Sequence, residues 1–228
     1  MKACVSVDPD SELIDEVIVT PANTPDRDAV PGLVESLPKD DPPEIVGDAA
    51  YGDGATRAEL KEAGLSVVAR VPPVRNATGG FPKDRFAIDL ESNTVTCPAK
   101  QTVPIRSQRS GGGVNFASHC STCPLAARCT RSRSGRTITI HRHEALLQQA
   151  RGDQADPIWQ ERYRADRPMV ERKFAHLVFR SWGGRRARIR GLRRVATDLD
   201  TRATATNLAR LAMLGLRSGD GGWTIAGA

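Results

Sequence analysis

The pattern of apolar and polar positions predicts strands in the first third of the chain. Apolar and β-branched residues fill positions 4–7 and 13–20, and the turn-forming stretch 8–11 lies between them. This order predicts a β-hairpin. Two further apolar runs, at residues 44–50 and 65–71, predict strands, and the small residues that follow Ile-Val in the first run indicate burial on both faces.

Apolar residues at helical spacing predict helices between these strands and through the C-terminal part. The i, i+3, i+4, i+7 pattern favours a helix over residues 26–37, and Thr56 can cap a shorter helix over residues 57–63. From His143 onward the pattern is helical, and the last clear helix is expected over residues 201–216. The alternation of strands and helices predicts an α/β fold.

Changes in composition divide the chain into four parts. Residues 74–142 are rich in Gly, Pro, Ser, Thr and Arg and contain four of the five cysteines, which predicts a Cys-rich insertion of short strands and loops. Residues 1–73 form the N-terminal part of an α/β core, and residues 143–217 form its helical C-terminal part. Residues 218–228 are expected to be a flexible tail.

The overall composition is that of a soluble globular protein with a basic surface. The net charge of +6 suits a polyanionic partner, while only 4% of the residues are aromatic, too few for base-stacking platforms to dominate a nucleic-acid surface. No apolar stretch approaches the roughly 20 residues that cross a bilayer, and the N-terminus lacks a signal-peptide pattern. We therefore expect a cytoplasmic protein without membrane contact, in which five cysteines do not form a disulfide framework.

A run of positive charge follows in the C-terminal part. Residues 172–194 contain nine cations and no acidic residue, whereas a solvated helix face normally mixes both signs. Such a run suits a DNA backbone, which it would position without reading its sequence, and the alternative is a merely solubilising surface. The cations are Arg172, Lys173, Arg180, Arg185, Arg186, Arg188, Arg190, Arg193 and Arg194.

Two acidic residues lie where regular elements could present them to one ligand. Asp48 ends an apolar strand, and ligands bind at strand ends in open α/β sheets. Glu171 lies beside an apolar helical stripe, one turn after Arg167. Two such carboxylates can hold divalent metal ions for phosphoryl transfer. Spacing alone favours the simpler alternatives, in which Asp48 caps a turn and Glu171 forms a surface ion pair with Arg167.

Several segments, in the order of the chain, resemble the DDE transposases of bacterial insertion sequences, which have an RNase H-like core. The resemblance covers a strand-to-helix passage, the strand of the family's second aspartate, the Arg and Glu of its last catalytic helix, and its C-terminal part. These segments are residues 18–26, 46–52, 167–171, 184–192 and 207–211.

The resemblance implies an RNase H-like mixed sheet with flanking helices, interrupted by the Cys-containing insertion and followed by C-terminal helices. It implies that Asp48 and Glu171 are catalytic ligands of Mg²⁺ or Mn²⁺ and that Arg167 reaches a phosphate. The implied activity is DNA transposition by metal-dependent strand cleavage and strand transfer. The implied partner is double-stranded DNA, both transposon ends and target, at the nucleoid, with a homodimer as a candidate assembly. Two alternatives remain: a non-catalytic DNA-binding remnant with a zinc-stapled module, and an RNase H-like nuclease.

The chain departs from the family's pattern in three places. The family's first aspartate lies on a strand upstream of a segment like residues 1–25. We therefore expect a truncated or frameshifted reading frame or a misassigned start codon, and an inactive chain unless another chain or a longer start supplies that strand. Val178 stands where a lysine or arginine usually follows the glutamate by seven residues. Arg164 stands where a tyrosine is expected, and Tyr163 is next to it.

The insertion contains a candidate zinc site. Four thiolates can bind Zn²⁺ tetrahedrally, with Zn–S distances of about 2.3 Å. Such a site would cross-link a region that has little apolar content to hold it together. His119 and His141 are further candidate ligands, and the equally weighted alternative is a set of reduced, structural cysteines. The four thiols belong to Cys97, Cys120, Cys123 and Cys129.

Overall fold

The computed structural model describes residues 1–38, 40–73, 76, 79–108, 111–178, 187–219 and 222–225. The strands are β1 (Lys2–Val7), β2 (Ile14–Thr20), β3 (Ile45–Val46), β4 (Val67–Val68), β5 (Ala87–Asp89), β6 (Thr94–Thr96), β7 (Thr102–Pro104), β8 (Arg106–Gln108), β9 (Gly111–Asn115), β10 (Thr137–His141), β11 (Leu216–Gly219) and β12 (Gly222–Ile225). The α-helices are α1 (Val30–Leu33), α2 (Gly54–Glu62), α3 (Ala117–Cys120), α4 (Ala126–Cys129), α5 (Glu144–Asp153), α6 (Pro157–Leu177) and α7 (Leu192–Met213). Short 3₁₀ helices span Asp26–Ala29, Ala49–Tyr51 and Lys83–Arg85.

The N-terminal hairpin forms as the sequence predicts. β1 and β2 are antiparallel, with Lys2 opposite Thr20. The turn between them is held by the Asp8 carboxylate, which accepts hydrogen bonds from the backbone N–H and the hydroxyl of Ser11. The Ser11 hydroxyl bond is the main reason that the pKa of Asp8 lies below its ordinary value. Asp8 therefore serves the turn.

The strands of the N-terminal part form two separate sheets among the described residues. β1 pairs with β2, and β3 pairs with β4 in parallel, but the two pairs do not join into one mixed sheet. Helix α6 contacts both β1 and β3 and so packs across the two sheets. The mixed α/β character is confirmed, and it consists of small sheets with several helices.

Helix α2 connects the two parallel strands and begins three residues earlier than expected. Its cap is Asp53, whose carboxylate accepts hydrogen bonds from the backbone N–H groups of Ala55 and Thr56 at 2.9 and 3.2 Å. The prediction that Thr56 is the cap was wrong. Its side chain is fully buried, and its hydroxyl donates a hydrogen bond to an Asp53 carboxylate oxygen at 2.6 Å.

The Cys-rich part contains two antiparallel sheets of three strands, β5-β6-β7 and β10-β9-β8. The expectation that it has little apolar content to hold it together was wrong. Its short strands converge on a shared apolar cluster, and the partly buried Cys97 and Cys120 pack against the rim of that cluster. The buried members are Phe86, Val95, Ile105, Val114, Phe116, Cys129, Ile138 and Ile140.

Two long helices dominate the C-terminal part. α6 starts at Pro157 under an Asp156 cap and continues through Pro168. α7 starts at Leu192 rather than near residue 201. The threonines of α7 are accommodated within it because their hydroxyls donate hydrogen bonds to carbonyl groups one turn earlier, as Thr201 does to Thr197 at 2.8 Å.

Helix α7 is clamped to the N-terminal hairpin by one amide side chain. Asn207 accepts a hydrogen bond from the Ile14 backbone N–H at 2.9 Å and donates one to the Ile14 carbonyl at 2.8 Å. Beyond α7, β11 and β12 form a hairpin, so the described part of the expected flexible tail is a paired strand. None of the described helices combines the length and apolarity needed to span a membrane.

Candidate functional site

Helix α6 is anchored to the end of β3 by a buried tyrosine. The Tyr163 hydroxyl donates a hydrogen bond to the Gly47 carbonyl at 3.0 Å, one residue before Asp48. The Tyr163 ring stacks on Trp159 with 5.0 Å between ring centroids, and the Arg70 guanidinium lies 5.1 Å from its centroid. These contacts fix which residues of α6 lie next to the strand end.

Asp48, Arg167 and Glu171 come together at this point. Residues 163, 167 and 171 are four apart and therefore share one face of α6. One terminal nitrogen of Arg167 lies 2.9 Å from a Glu171 carboxylate oxygen and 3.8 Å from an Asp48 carboxylate oxygen. Because both distances are measured from the same Arg167 nitrogen, the Asp48 and Glu171 oxygens can be no farther apart than the sum of the two distances. Tertiary packing thus brings together two acids that are more than a hundred residues apart in sequence.

Both local roles suggested by spacing alone are also present. The other Asp48 oxygen accepts a hydrogen bond from the Ala50 backbone N–H at 2.8 Å and caps the 3₁₀ helix that follows. Glu171 forms the one-turn ion pair with Arg167. The side chains of Asp48 and Glu171 are 47% and 67% exposed, and that of Arg167 is 24% exposed. The carboxylates therefore face solvent, where a large polyanion could reach them.

The carboxylates by themselves do not complete a metal centre. Within the described ranges, no group of three or more His, Cys, Asp or Glu side chains could hold a metal ion. Asp48 and Glu171 instead share the positive charge of Arg167. The oxygens of both acids are the donors that Mg²⁺ and Mn²⁺ prefer, so their chemistry fits such an ion, while their number is short of a full set.

Two cations of the basic run are paired with one acidic residue of the N-terminal hairpin turn. Lys173 is buried, and its ammonium lies 2.8 Å from a Glu12 carboxylate oxygen, while the Arg172 guanidinium lies 3.2 Å from the other oxygen. The Lys173 hydrogen bond is the main reason that the pKa of Glu12 lies below its ordinary value. These two cations tie α6 to the N-terminal hairpin turn.

The remaining cations of the run lie toward α7. Arg188 and Arg190 are exposed in the segment before α7, and Arg193 and Arg194 are exposed on its first turn. Arg180, Arg185 and Arg186 lie outside the described residues. The described part of the run therefore combines a section that is paired with Glu12 and an exposed section next to α7.

The four cysteines of the Cys-rich part line one cavity of about 20 Å³, together with His119 and Arg136. Cys120 accepts a hydrogen bond at its sulfur from the Arg136 backbone N–H at 3.4 Å. Burial raises the pKa of Cys129 above its ordinary value. The charge of Arg136 opposes this shift, and the other three thiols add to it. Cys4 is separate and packs with Ala29 and Leu33.

One residue that sequence reasoning missed is Glu144, at the start of α5. Its side chain is 1% exposed and accepts hydrogen bonds from Lys83 at 2.5 Å, Arg151 at 3.1 Å and the His141 backbone N–H at 3.1 Å. Burial raises the pKa of Glu144, but these hydrogen bonds outweigh burial and the pKa lies below its ordinary value. Lys83 is 61 positions away, so no local sequence signal marks this cluster.

Comparison with known proteins gives one family. A family model described as a transposase DDE domain matches residues 96–212, just over half of the chain. The matched range contains the four clustered cysteines, Arg167 and Glu171, whereas Asp48 lies before it. No curated protein and no solved structure matches the chain.

Proposed function

Because the chain belongs to the transposase DDE domain family, we propose that it is an insertion-sequence transposase that cleaves DNA strands and transfers them into target DNA. The observation that carries this proposal is the convergence of Asp48 and Glu171 on one nitrogen of Arg167. The same strand end and helix face are the ones that the family resemblance marks. DNA is then the substrate, and the nucleoid is the expected place of action.

In this proposal Asp48 and Glu171 supply oxygen ligands to Mg²⁺ or Mn²⁺. A bound divalent ion would activate the attacking water or 3′-hydroxyl and stabilise the charge that develops at phosphorus. The carboxylates have the right donor chemistry, and their exposure leaves room for a duplex. The Gly47–Tyr163 hydrogen bond holds the two elements together, so both ligands keep their relative position.

Arg167 has a distinct role in the proposed site. Its positive guanidinium offsets the repulsion between the two carboxylates. A guanidinium has five donors, so donors not used by Glu171 can bind a phosphate oxygen. We assign Arg167 to holding the carboxylates in place and to orienting the scissile phosphate.

We infer that a third carboxylate joins the site from an additional strand in an RNase H-like arrangement. Among the described strands, β1 pairs only with β2 and β3 only with β4, so each pair has an edge open to another strand. Helix α6 contacts a strand of each pair, so both open edges belong to sheets that pack against the same helix. The strand could come from a second chain.

The metal ligands can be tested without relying on DNA cleavage. With hydrogen peroxide and ascorbate added, Fe²⁺ that replaces Mg²⁺ reduces the peroxide to hydroxyl radicals, which cut a polypeptide next to the metal, and ascorbate returns the Fe³⁺ to Fe²⁺. We expect cuts near residues 48 and 171, and we expect excess Mg²⁺ to suppress both. Asp48→Asn or Glu171→Gln should each remove both cuts, because the two side chains hold the same ion. The fragments are read by mass spectrometry.

Glu161→Gln is the matched control for this mapping. It makes the same chemical change on the same helix at an exposed residue outside the site, and it should leave both cuts intact. Cuts elsewhere in the chain, or cuts that persist in both site variants, would remove Asp48 and Glu171 from the metal site. Metal-independent DNA binding alone would favour the non-catalytic remnant, and cleavage without joined products would favour a nuclease.

The exposed cations before α7 should contribute to DNA affinity. Replacing Arg188 and Arg190 by Ala is expected to make the plot of log affinity against log salt concentration shallower by about 1 to 2, because each lost phosphate contact removes about 0.9. Replacing Arg131 and Arg133 by Ala is the matched control, since this pair has the same spacing and is also exposed. Equal slopes for the two double variants would mean that the run does not face DNA.

A further inference from the structure

Four thiols from separate parts of the Cys-rich region meet at one small cavity. Cys97 follows β6, Cys120 ends α3, Cys123 lies in the next turn and Cys129 ends α4. Two of these positions begin tight turns: the Lys100 backbone N–H donates to the Cys97 carbonyl at 2.8 Å, and that of Cys123 donates to the Cys120 carbonyl at 3.3 Å. The backbone therefore already brings all four side chains to one place.

Arg136 adds an independent indication that the cavity takes a negatively charged centre. Its side chain lines the cavity, and its Nε is buried without a hydrogen-bond acceptor among the described residues. The rest of the guanidinium is held in place, because a terminal nitrogen donates to the Phe81 carbonyl at 2.8 Å and the group lies over the Phe86 ring. A buried, unpaired donor is costly, and a thiolate would supply the missing acceptor.

We propose that this cavity binds a single Zn²⁺ through Cys97, Cys120, Cys123 and Cys129, with Arg136 offsetting the excess negative charge of the four thiolates. Four thiolates are a typical tetrahedral ligand set for Zn²⁺, and a thiolate–metal bond of about 2.3 Å requires the sulfurs to gather around one point. The cavity of about 20 Å³ has room for one ion but not for an iron–sulfur cluster.

Binding would require the thiol side chains to move. In the described arrangement no three of them are spaced to share a metal ion. Each cysteine side chain turns about a single χ1 bond between staggered rotamers, and such rotations would bring the sulfurs around the ion. All four cysteines are free thiols, so no disulfide has to be broken first.

Zinc would cross-link segments that the apolar cluster holds only at its edge. Helices α3 and α4 have four residues each, which is too short for helical stability of their own. Only Cys129 of the four belongs to the buried cluster. The proposed ion would therefore tie the turn between β6 and β7 of one three-stranded sheet to the connection between β9 and β10 of the other. It is independent of the carboxylate site proposed above.

The test measures zinc in the full chain purified without chelators. We expect one zinc and no stoichiometric iron per chain by elemental mass spectrometry. We also expect a Co²⁺-exchanged protein to show the absorption of a tetrahedral tetrathiolate site. Ser in place of any one of the four cysteines should lower the zinc content to less than half. Arg136→Ala should retain the zinc but weaken its affinity by about 10-fold, as loss of a group that supports metal ligands does.

Cys4→Ser is the matched control, because it makes the same change at a buried cysteine outside the cavity, and it should keep one zinc per chain. The Co²⁺ spectrum of the unaltered chain keeps the test decisive if a cavity variant fails to fold. Substoichiometric metal after reconstitution with Zn²⁺, a Co²⁺ spectrum without thiolate absorption, or equal zinc loss in the control would each overturn the proposal.

Discussion

Replacing Glu171 by Gln is expected to lower strand cleavage by at least about 10²- to 10³-fold, the loss seen when one electrostatic contact to a transition state is removed. Gln has nearly the shape of Glu but lacks the negative charge that binds a divalent ion. DNA affinity should stay the same or rise slightly, because a negative charge is removed near the phosphates. Nicking of supercoiled plasmid and filter binding measure the two quantities, in a form of the protein that carries the third carboxylate.

Glu161→Gln again separates a site effect from a general effect on α6. It should cleave like the unaltered protein, since Glu161 is exposed and lies outside the cluster of Asp48, Arg167 and Glu171. Full cleavage by the Glu171 variant would exclude this residue from catalysis. An equal loss in both variants would indicate that α6 has been disturbed as a whole.

Replacing Glu144 by Gln is expected to destabilise the fold by about 3 kcal/mol, because removal of one partner leaves a buried charge uncompensated. Lys83 is the charge most affected, since its side chain is only 15% exposed. For a chain of this size the midpoint of thermal unfolding should fall by roughly 6 to 12 °C. Calorimetry measures the shift, and Glu62→Gln, at the exposed end of α2, should change the midpoint little.

The same variant should change how stability depends on pH. The pKa of Glu144 is lower in the folded chain than its ordinary value of 4.5, so its contribution is fully present above that pH. The contribution is lost as the pH falls below 4.5 through the folded-state pKa, because the unfolded chain takes up the proton more readily. Thermal midpoints between about pH 6 and pH 3 should fall less steeply for Glu144→Gln than for the unaltered chain. Parallel curves would mean that the pKa of Glu144 is the same in the folded and the unfolded chain.

Several elements could be read from the sequence because local chemistry alone specifies them. The first hairpin forms where β-branched runs flank the Asp8 turn, and the Asp8 carboxylate closes that turn through neighbouring residues. The parallel pairing of β3 and β4 also follows from apolar runs connected by a helix. The start of α7 could not be predicted from local chemistry, because its threonine hydroxyls find their hydrogen-bond acceptors inside the helix itself.

The sequence predicted which residues form the candidate site, but only tertiary contacts determine how those residues are arranged. Asp48 and Glu171 were marked by their positions at a strand end and on a helix face. Their separation depends on Tyr163, which sequence reasoning treated only as a displaced family residue and which anchors α6 to Gly47. Lys173 was expected to meet DNA, but in the fold it is buried against Glu12.

The sequence by itself determined which residue types could do chemistry and, through its DDE segments, the family to which the chain belongs. Only the tertiary structure decided which of them meet. It brought Asp48 and Glu171 to Arg167, gathered four thiols beside Arg136, and buried Glu144 between Lys83 and Arg151. The physical reason is that propensity, turns and caps act over a few residues. Charge pairing and shared cavities instead depend on packing between segments that are far apart in sequence.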